Sequence, residues 1–212
     1  MANPTNIPGD LIVPGDVRIT GRISPALSKA NVLALSELQS FPVPLTNFRV
    51  WDAMHTLLPG TPTTDDLGLI GGTFGTATPS LRSEDLKALG ATNKRARVLV
   101  QLPWDYVAGE SVTLRFTAGM ITTVAGTTAT IDCEVYKQQA DPEDAIGSDL
   151  VTTAATTINS LVFSNVDFFV TPSSLSPGDI LDVRVTCAVN DGATATAVIC
   201  GISSCKLLCD VR

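Results

Sequence analysis

The chain has 212 residues, 44% of them hydrophobic, with 14 Lys and Arg against 21 Asp and Glu and a single histidine, for a formal charge of −7. That size can bury a proper core. The acidic balance excludes a general phosphate-backbone binder, and one histidine leaves little for acid–base or nucleophilic catalysis.

The N-terminal stretch IPGDLIVPGDVRITGRIS, residues 7–24, divides into three six-residue units. Each pairs a glycine (Gly9, Gly15, Gly21) with Ile, Leu or Val, and Pro8 and Pro14 precede the first two. Proline fixes φ, glycine permits the turn and β-branched residues prefer extended chain, so a helix is excluded here. Three such units cannot bury their own apolar side chains and need a partner surface. Residues 1–24 therefore read as an extended arm with short β repeats. Its reach when extended is about 80 Å at roughly 3.3 Å per residue, enough to add strands to the sheet edges of a neighbour. MANPTNIPGD has neither the basic start nor the apolar run of a secretory signal, and no later run reaches the length of a membrane span, so synthesis as a soluble cytoplasmic chain is expected.

Residues 25–91 read as a loop-rich connector with short helices. Ser24 and Pro25 suggest an N-cap and first helical position for SPALSKANVLALSELQ (24–39). FPVPL (41–45) must be extended. In RVWDAMHTLLPG (49–60), Trp51, Met54, Leu57 and Leu58 fall near helical spacing before Pro59-Gly60 ends the run. SEDLKALG (83–90) predicts a capped turn or two, with Ser83 as N-cap and Gly90 as terminator.

Residues 92–212 read as a β-sandwich domain. Strands are predicted over 95–102, 111–120, 128–137, 159–163, 166–170, 179–189, 193–202 and 204–211. Several alternate strictly, as Val112, Leu114 and Phe116 do against Thr113, Arg115 and Thr117. Asn190-Asp191-Gly192 carries a hairpin signal. The fold class expected is mainly β, an antiparallel, jelly-roll-like sandwich with an N-terminal arm.

Five cysteines, Cys133, Cys187, Cys200, Cys205 and Cys209, give an odd number without any CxxC pair. They fall on apolar strand faces and read as small core hydrophobes, not as a disulfide framework or a zinc site. His55 has no nucleophile motif near it, and GxSxG, HExxH and phosphate-loop patterns are absent. No catalytic residue, cofactor or metal is assigned. The acidic loop Asp141, Glu143, Asp144 and Asp149 could suit calcium but lacks the spacing of a helix–loop–helix calcium site. Lys94, Arg95 and Arg97 read as solvated or edge-guarding charges. Aromatic platforms for sugars are few; Trp104 and Tyr106 stand close together, and Leu102-Pro103-Trp104 reads as strand-end packing.

GDLIVPGDVRITGRI is similar to the glycine-punctuated β-units that open many tailed-bacteriophage fibre and head-associated proteins. The middle segment PLTNFRVWDAMHTLLPGTPTTDDLGLIGGTFG, followed by LSPGDILDVRVTCAVNDGATATAVI, resembles a group of phage virion proteins. The resemblance implies a capsid decoration (cement) or head-fibre protein on the virion surface, without an active site. It implies a homotrimer, formed by the sandwich, that clamps major capsid subunits through the arm and the connector; the acidic charge and the lack of a span-length apolar run add the expectation of no nucleic-acid or membrane partner. The candidate partner contacts are Ile7, Leu11, Val13, Val17, Arg18, Ile19, Arg22 and Trp51. The alternative is a tail-fibre or receptor-binding sandwich that recognises host glycan.

Overall fold

In a computed structural model, which describes residues 37–62 and 64–212, the alternating runs become ten strands in two antiparallel sheets. The first sheet holds β1 (Glu37–Val43), β2 (Gly68–Ile70), β3 (Ser80–Arg82), β5 (Val112–Met120), β8 (Ser164–Val170) and β10 (Cys200–Val211). The second holds β4 (Thr92–Gln101), β6 (Thr128–Lys137), β7 (Thr156–Thr157) and β9 (Ile180–Asn190). The strand orders are β2-β3-β10-β5-β8 and β4-β9-β6-β7. One edge of β10 pairs with β5, and its other edge is shared between β3 and β1. From β4 to β10 the chain changes sheet at every connection but that from β6 to β7. The antiparallel β-sandwich expected from the alternation is therefore present.

Period-two alternation drives one face of each sheet inward. Leu114 and Phe116 of β5 meet Val183 and Val185 of β9 and Ile131 and Cys133 of β6 in one buried cluster. Phe116 and Phe168 pack edge to face with ring centroids 6.0 Å apart, an arrangement worth about 1 kcal/mol beyond the area it buries. All five cysteines are free thiols inside this core. Burial pushes the Cys205 and Cys133 thiols well above their ordinary value, as expected of side chains that serve as packing.

Several expectations need correction. No α-helix occurs among the described residues; a single 3-10 turn spans Leu45–Asn47. Residues 37–39 of the helix expected over 24–39 belong to β1, and the remainder lies outside the described residues. Residues 83–90 form no helix, and their capping groups also bond to the segment that leads into β10. The Ser83 hydroxyl accepts the Cys200 N–H at 3.1 Å, and the Asp85 carboxylate takes the Val198 N–H at 2.9 Å. The strand expected over 159–163 is a bend, and 193–199 is a loop. The last two predicted strands are replaced by one, β10, with a bulge between Ile202 and Ser204. Asp191-Gly192 makes no hairpin, because β9 and β10 lie in different sheets. The described residues form one compact unit, so the connector region contributes β1, β2 and β3 to the sandwich itself.

Phe163 explains one pair of glycines. Gly119 and Gly201 face each other across β5 and β10. A Cβ on Gly119 would lie 2.9 Å from the Phe163 ring, and one on Gly201 would lie 2.8 Å from Ile121 and 3.3 Å from Phe163. The paired glycines thus form a flat seat for two apolar side chains. Gly119→Val is expected to unseat Phe163 and to lower stability by about 1–3 kcal/mol, measurable by urea denaturation; an unchanged midpoint would show that the ring moves aside freely.

Candidate functional site

The alternation that buries Ala96, Val98, Val183 and Val185 turns their neighbours to the outer face of the four-stranded sheet. In one row Arg97 stands opposite Arg184, which stands opposite Glu134. In the next, Leu99, Asp182 and Tyr136 follow the same order. Two arginines side by side would repel, and each is neutralised by a carboxylate. Arg97 grips Asp182 with both ends of its guanidinium, Nε at 2.7 Å, and Arg184 pairs with Glu134. Hydrogen bonding to Asp182 raises the Arg97 pKa further. Burial, then the neighbouring Glu134 and Asp149 carboxylates, raise that of Tyr136, so its hydroxyl stays protonated at neutral pH.

Two loop segments clip onto the free edge of β4 and deliver the remaining groups. Arg49 exchanges backbone hydrogen bonds with Arg97 at 2.8 and 3.0 Å, and the Asp65 carbonyl and Leu67 N–H bond to Arg95 at 2.7 and 2.8 Å. The first segment closes on itself through Val50 and Thr56. This edge pairing overrides the helical spacing expected over 49–60 and leaves Leu57 and His55 exposed. It also sets Trp51 above the sheet. The indole N–H donates to the Asp65 carboxylate at 2.9 Å, which also accepts Arg95 at 3.1 Å. The Arg95 and Arg184 guanidinium carbons lie 5.0 and 5.3 Å from the Trp51 ring, within cation–π range.

The result is a cleft of about 260 Å³, walled by Trp51, Asp52, Tyr136, Ile146 and the two arginine–carboxylate pairs. A second hollow of about 170 Å³ shares Arg97, Tyr136, Ile146 and Asp182 and continues toward Gln138, Asp141 and Asp144. A larger hollow of about 450 Å³ lies along Pro44, Leu45, Leu69, Pro79 and Ser203. Its lining holds no ionisable side chain and no aromatic ring, so the fixed polar groups that orient a ligand are concentrated on the four-stranded sheet.

No family profile matches the sequence, and no curated protein matches it. Solved structures similar to it include a xylan-binding module, CBM15, at 9% identity and TM-score 0.44, covering 82% of this chain and 97% of that one. The CBM22-1 xylan-binding domain of Paenibacillus barcinonensis Xyn10C is 9% identical at TM-score 0.43, over 84% of this chain and 96% of that one. The CBM22-2 domain of the same enzyme is 14% identical at TM-score 0.41, over 81% and 98%.

Of the expected contact residues, Trp51 stands in the cleft, whereas Ile7, Leu11, Val13, Val17, Arg18, Ile19 and Arg22 lie outside the described residues. Lys94 is not solvated: it is buried and paired with Glu84, while Arg95 and Arg97 are ion-paired on the sheet. Tyr106 is buried, its hydroxyl donating to the Glu110 carbonyl at 2.7 Å, and burial pushes its pKa up to about 12. Trp104, expected as packing, is 79% exposed, although Leu102 beside it is fully buried. Among the described residues no three His, Cys, Asp or Glu side chains gather as a metal site. No helix among them is long and apolar enough to cross a membrane. Glu134, Tyr136, Asp182 and Arg184 belong to no motif and look in the sequence like the polar face of any half-buried strand. Their signal was the alternation of IDCEVY and LDVRV, which puts acid, base and phenol on one side.

Proposed function

We propose that the outer face of the four-stranded sheet binds carbohydrate and that the sandwich is a glycan-binding module. The observation that carries this reading is a fixed indole, a phenol and two arginine–carboxylate pairs lining one open cleft. Sugar rings present apolar C–H faces, which stack on aromatic rings, and hydroxyls, which both donate and accept. Trp51 and Tyr136 suit the first, and pre-oriented guanidinium and carboxylate groups suit the second. Because Asp65 and two guanidiniums already hold the indole, little side-chain freedom is lost on binding.

The ligand class is neutral. The cations Arg97, Arg184 and Lys137 are each paired with a carboxylate, and Asp52, Asp141 and Asp144 add negative charge along the cleft. An anionic polymer would meet repulsion. We read the module as one that binds without turnover: of the carboxylates that line the cleft, Glu134 and Asp182 are engaged by arginines, which leaves Asp52 without the free partner that sugar hydrolysis by a carboxylate pair requires. A capsid-attachment role would rest on the arm, residues 1–24, together with the connector, residues 25–91; residues 1–36 lie outside the described residues.

Affinity electrophoresis through soluble xylan, β-glucan, galactomannan and polyuronates tests the proposal. Retardation by at least one neutral polymer is expected, with Trp51→Ala weakening it about tenfold or more, the scale of losing a central aromatic anchor. A protein retarded by none of them would overturn the reading, and retention by polyuronate alone would overturn the neutral ligand class.

A further inference from the structure

Trp104 offers an exposed indole that the cleft does not use. Its ring rests on the α-carbon of Gly178, where an added Cβ would lie 2.7 Å from two ring carbons. Gly178 has a φ of +81°, so glycine is required there both for the backbone and for the ring. The two loops that meet at this point are tied together. Leu102 N–H donates to the Asp179 carbonyl at 2.8 Å, Gly178 N–H to the Leu102 carbonyl at 3.2 Å, and the Gln101 amide to the Gly178 carbonyl at 3.2 Å. The indole is therefore exposed yet seated, where an unneeded aromatic would ordinarily be buried or replaced.

Its position relates it to the cleft. Arg95, Arg97, Leu99 and Gln101 succeed one another along the outer face of β4, with Trp51 over Arg95 at one end. Trp104 follows Gln101 at the other. The stretch of β4 between them, from Arg95 to Gln101, alone covers roughly 20 Å at about 3.3 Å per residue. The second hollow reaches Lys137 and Gln138, and these are tied to the segment that seats Trp104: Lys137 pairs with Asp179 at 2.7 Å, and Gln138 N–H bonds to the Ile180 carbonyl at 2.9 Å. Asp179 is the immediate neighbour of the glycine that seats Trp104.

From this placement we infer that Trp104 is a second stacking platform and that the ligand is an extended neutral polysaccharide lying along β4 between the two tryptophans. The inference rests on the carbohydrate reading above and adds to it the length of the ligand. A short oligosaccharide would occupy only the Trp51 end.

The full-length protein is titrated with soluble xylan, β-glucan and galactomannan and with the corresponding trisaccharides. Trp104→Ala, at an exposed position, is expected to keep wild-type stability and trisaccharide affinity and to lose about tenfold or more in polymer affinity. Gly178→Ala, which retains the ring and removes its seat, should lose part of the same affinity. The chain has two tryptophans, so in a Trp51→Phe background Trp104 emission reports alone, and polymer at saturating concentration should change it. Unchanged polymer affinity in Trp104→Ala, or emission indifferent to polymer, would overturn the inference and leave the cleft reading intact. A wild-type protein that binds none of the polymers would overturn the carbohydrate reading instead.

Discussion

Asp191→Asn is expected to lower the stability of the sandwich at neutral pH and to remove much of its sensitivity to acid. Asp191 is fully buried at the end of β9, and its carboxylate gathers three separate loops. One oxygen accepts the Gly126 N–H at 2.7 Å and the Thr194 hydroxyl; the other accepts the Ala88 N–H at 2.7 Å and the Thr194 N–H at 3.2 Å. An amide keeps one acceptor oxygen and turns an NH2 group toward two donors, so two buried groups lose their partner. The Thr194 hydroxyl, followed by the backbone N–H groups, holds the Asp191 pKa down at about 2 against an opposing effect of burial.

The sign of the pH dependence follows from that depression. A carboxylate whose folded value lies below its unfolded value of about 3.9 stabilises the fold above pH 4 and loses that contribution as pH falls toward 2. Asp167, lowered by its hydrogen bond to Arg115, and Asp85, lowered by the Val198 and Lys87 N–H groups, act in the same direction. Urea denaturation of wild type should therefore weaken steadily between about pH 4 and pH 2, with a shallower decline in Asp191→Asn. Equal slopes in the two proteins would remove Asp191 as the main acid-sensitive tie.

Local pattern was legible wherever strand pairing is long and one face is buried. The expected bounds of β6 agree with the structure, and those of β4, β5, β8 and β9 differ by a few residues at most. Three-residue strands such as β2 and β3 have too few positions to show a period, and they form because β10 offers an edge to β3 and β3 in turn offers one to β2. Asp191-Gly192 misled for a related reason. The same side chain that favours a tight turn can also cap distant N–H groups, and only the tertiary structure decides between the two. The outward residues of β6 and β9 were readable as a polar face, whereas their registration into a cleft was not. Nor could the sequence show that residues 49–51 and 65–67 both settle on the edge of β4, since that contact depends on backbone groups that every residue shares.

Lys94→Met is the second substitution from which a large loss is expected, about 3 kcal/mol, the lower end of what breaking a buried ion pair costs. Alternation turns Lys94 inward with Ala96 and Val98, and its side chain retains only 2% of its exposure. The ammonium donates to the Glu84 carboxylate and to the Thr64 carbonyl. Removing it leaves Glu84, still 32% exposed, without its cation, and that residual access to water keeps the cost from being larger. Lys94→Met with Glu84→Gln should recover part of the loss, and a double-mutant cycle by chemical denaturation measures the coupling; strictly additive effects would show that the pair is not a unit. The consequence reaches the cleft through one peptide bond. Thr64, held in the left-handed region at φ +57°, precedes the Asp65 that fixes the Trp51 indole. Loosening the Thr64 carbonyl should therefore weaken glycan binding in Lys94→Met protein that is still folded. Wild-type affinity in that protein would instead mean that Asp65, clipped to Arg95 by both its carbonyl and its carboxylate, holds the indole without help from below.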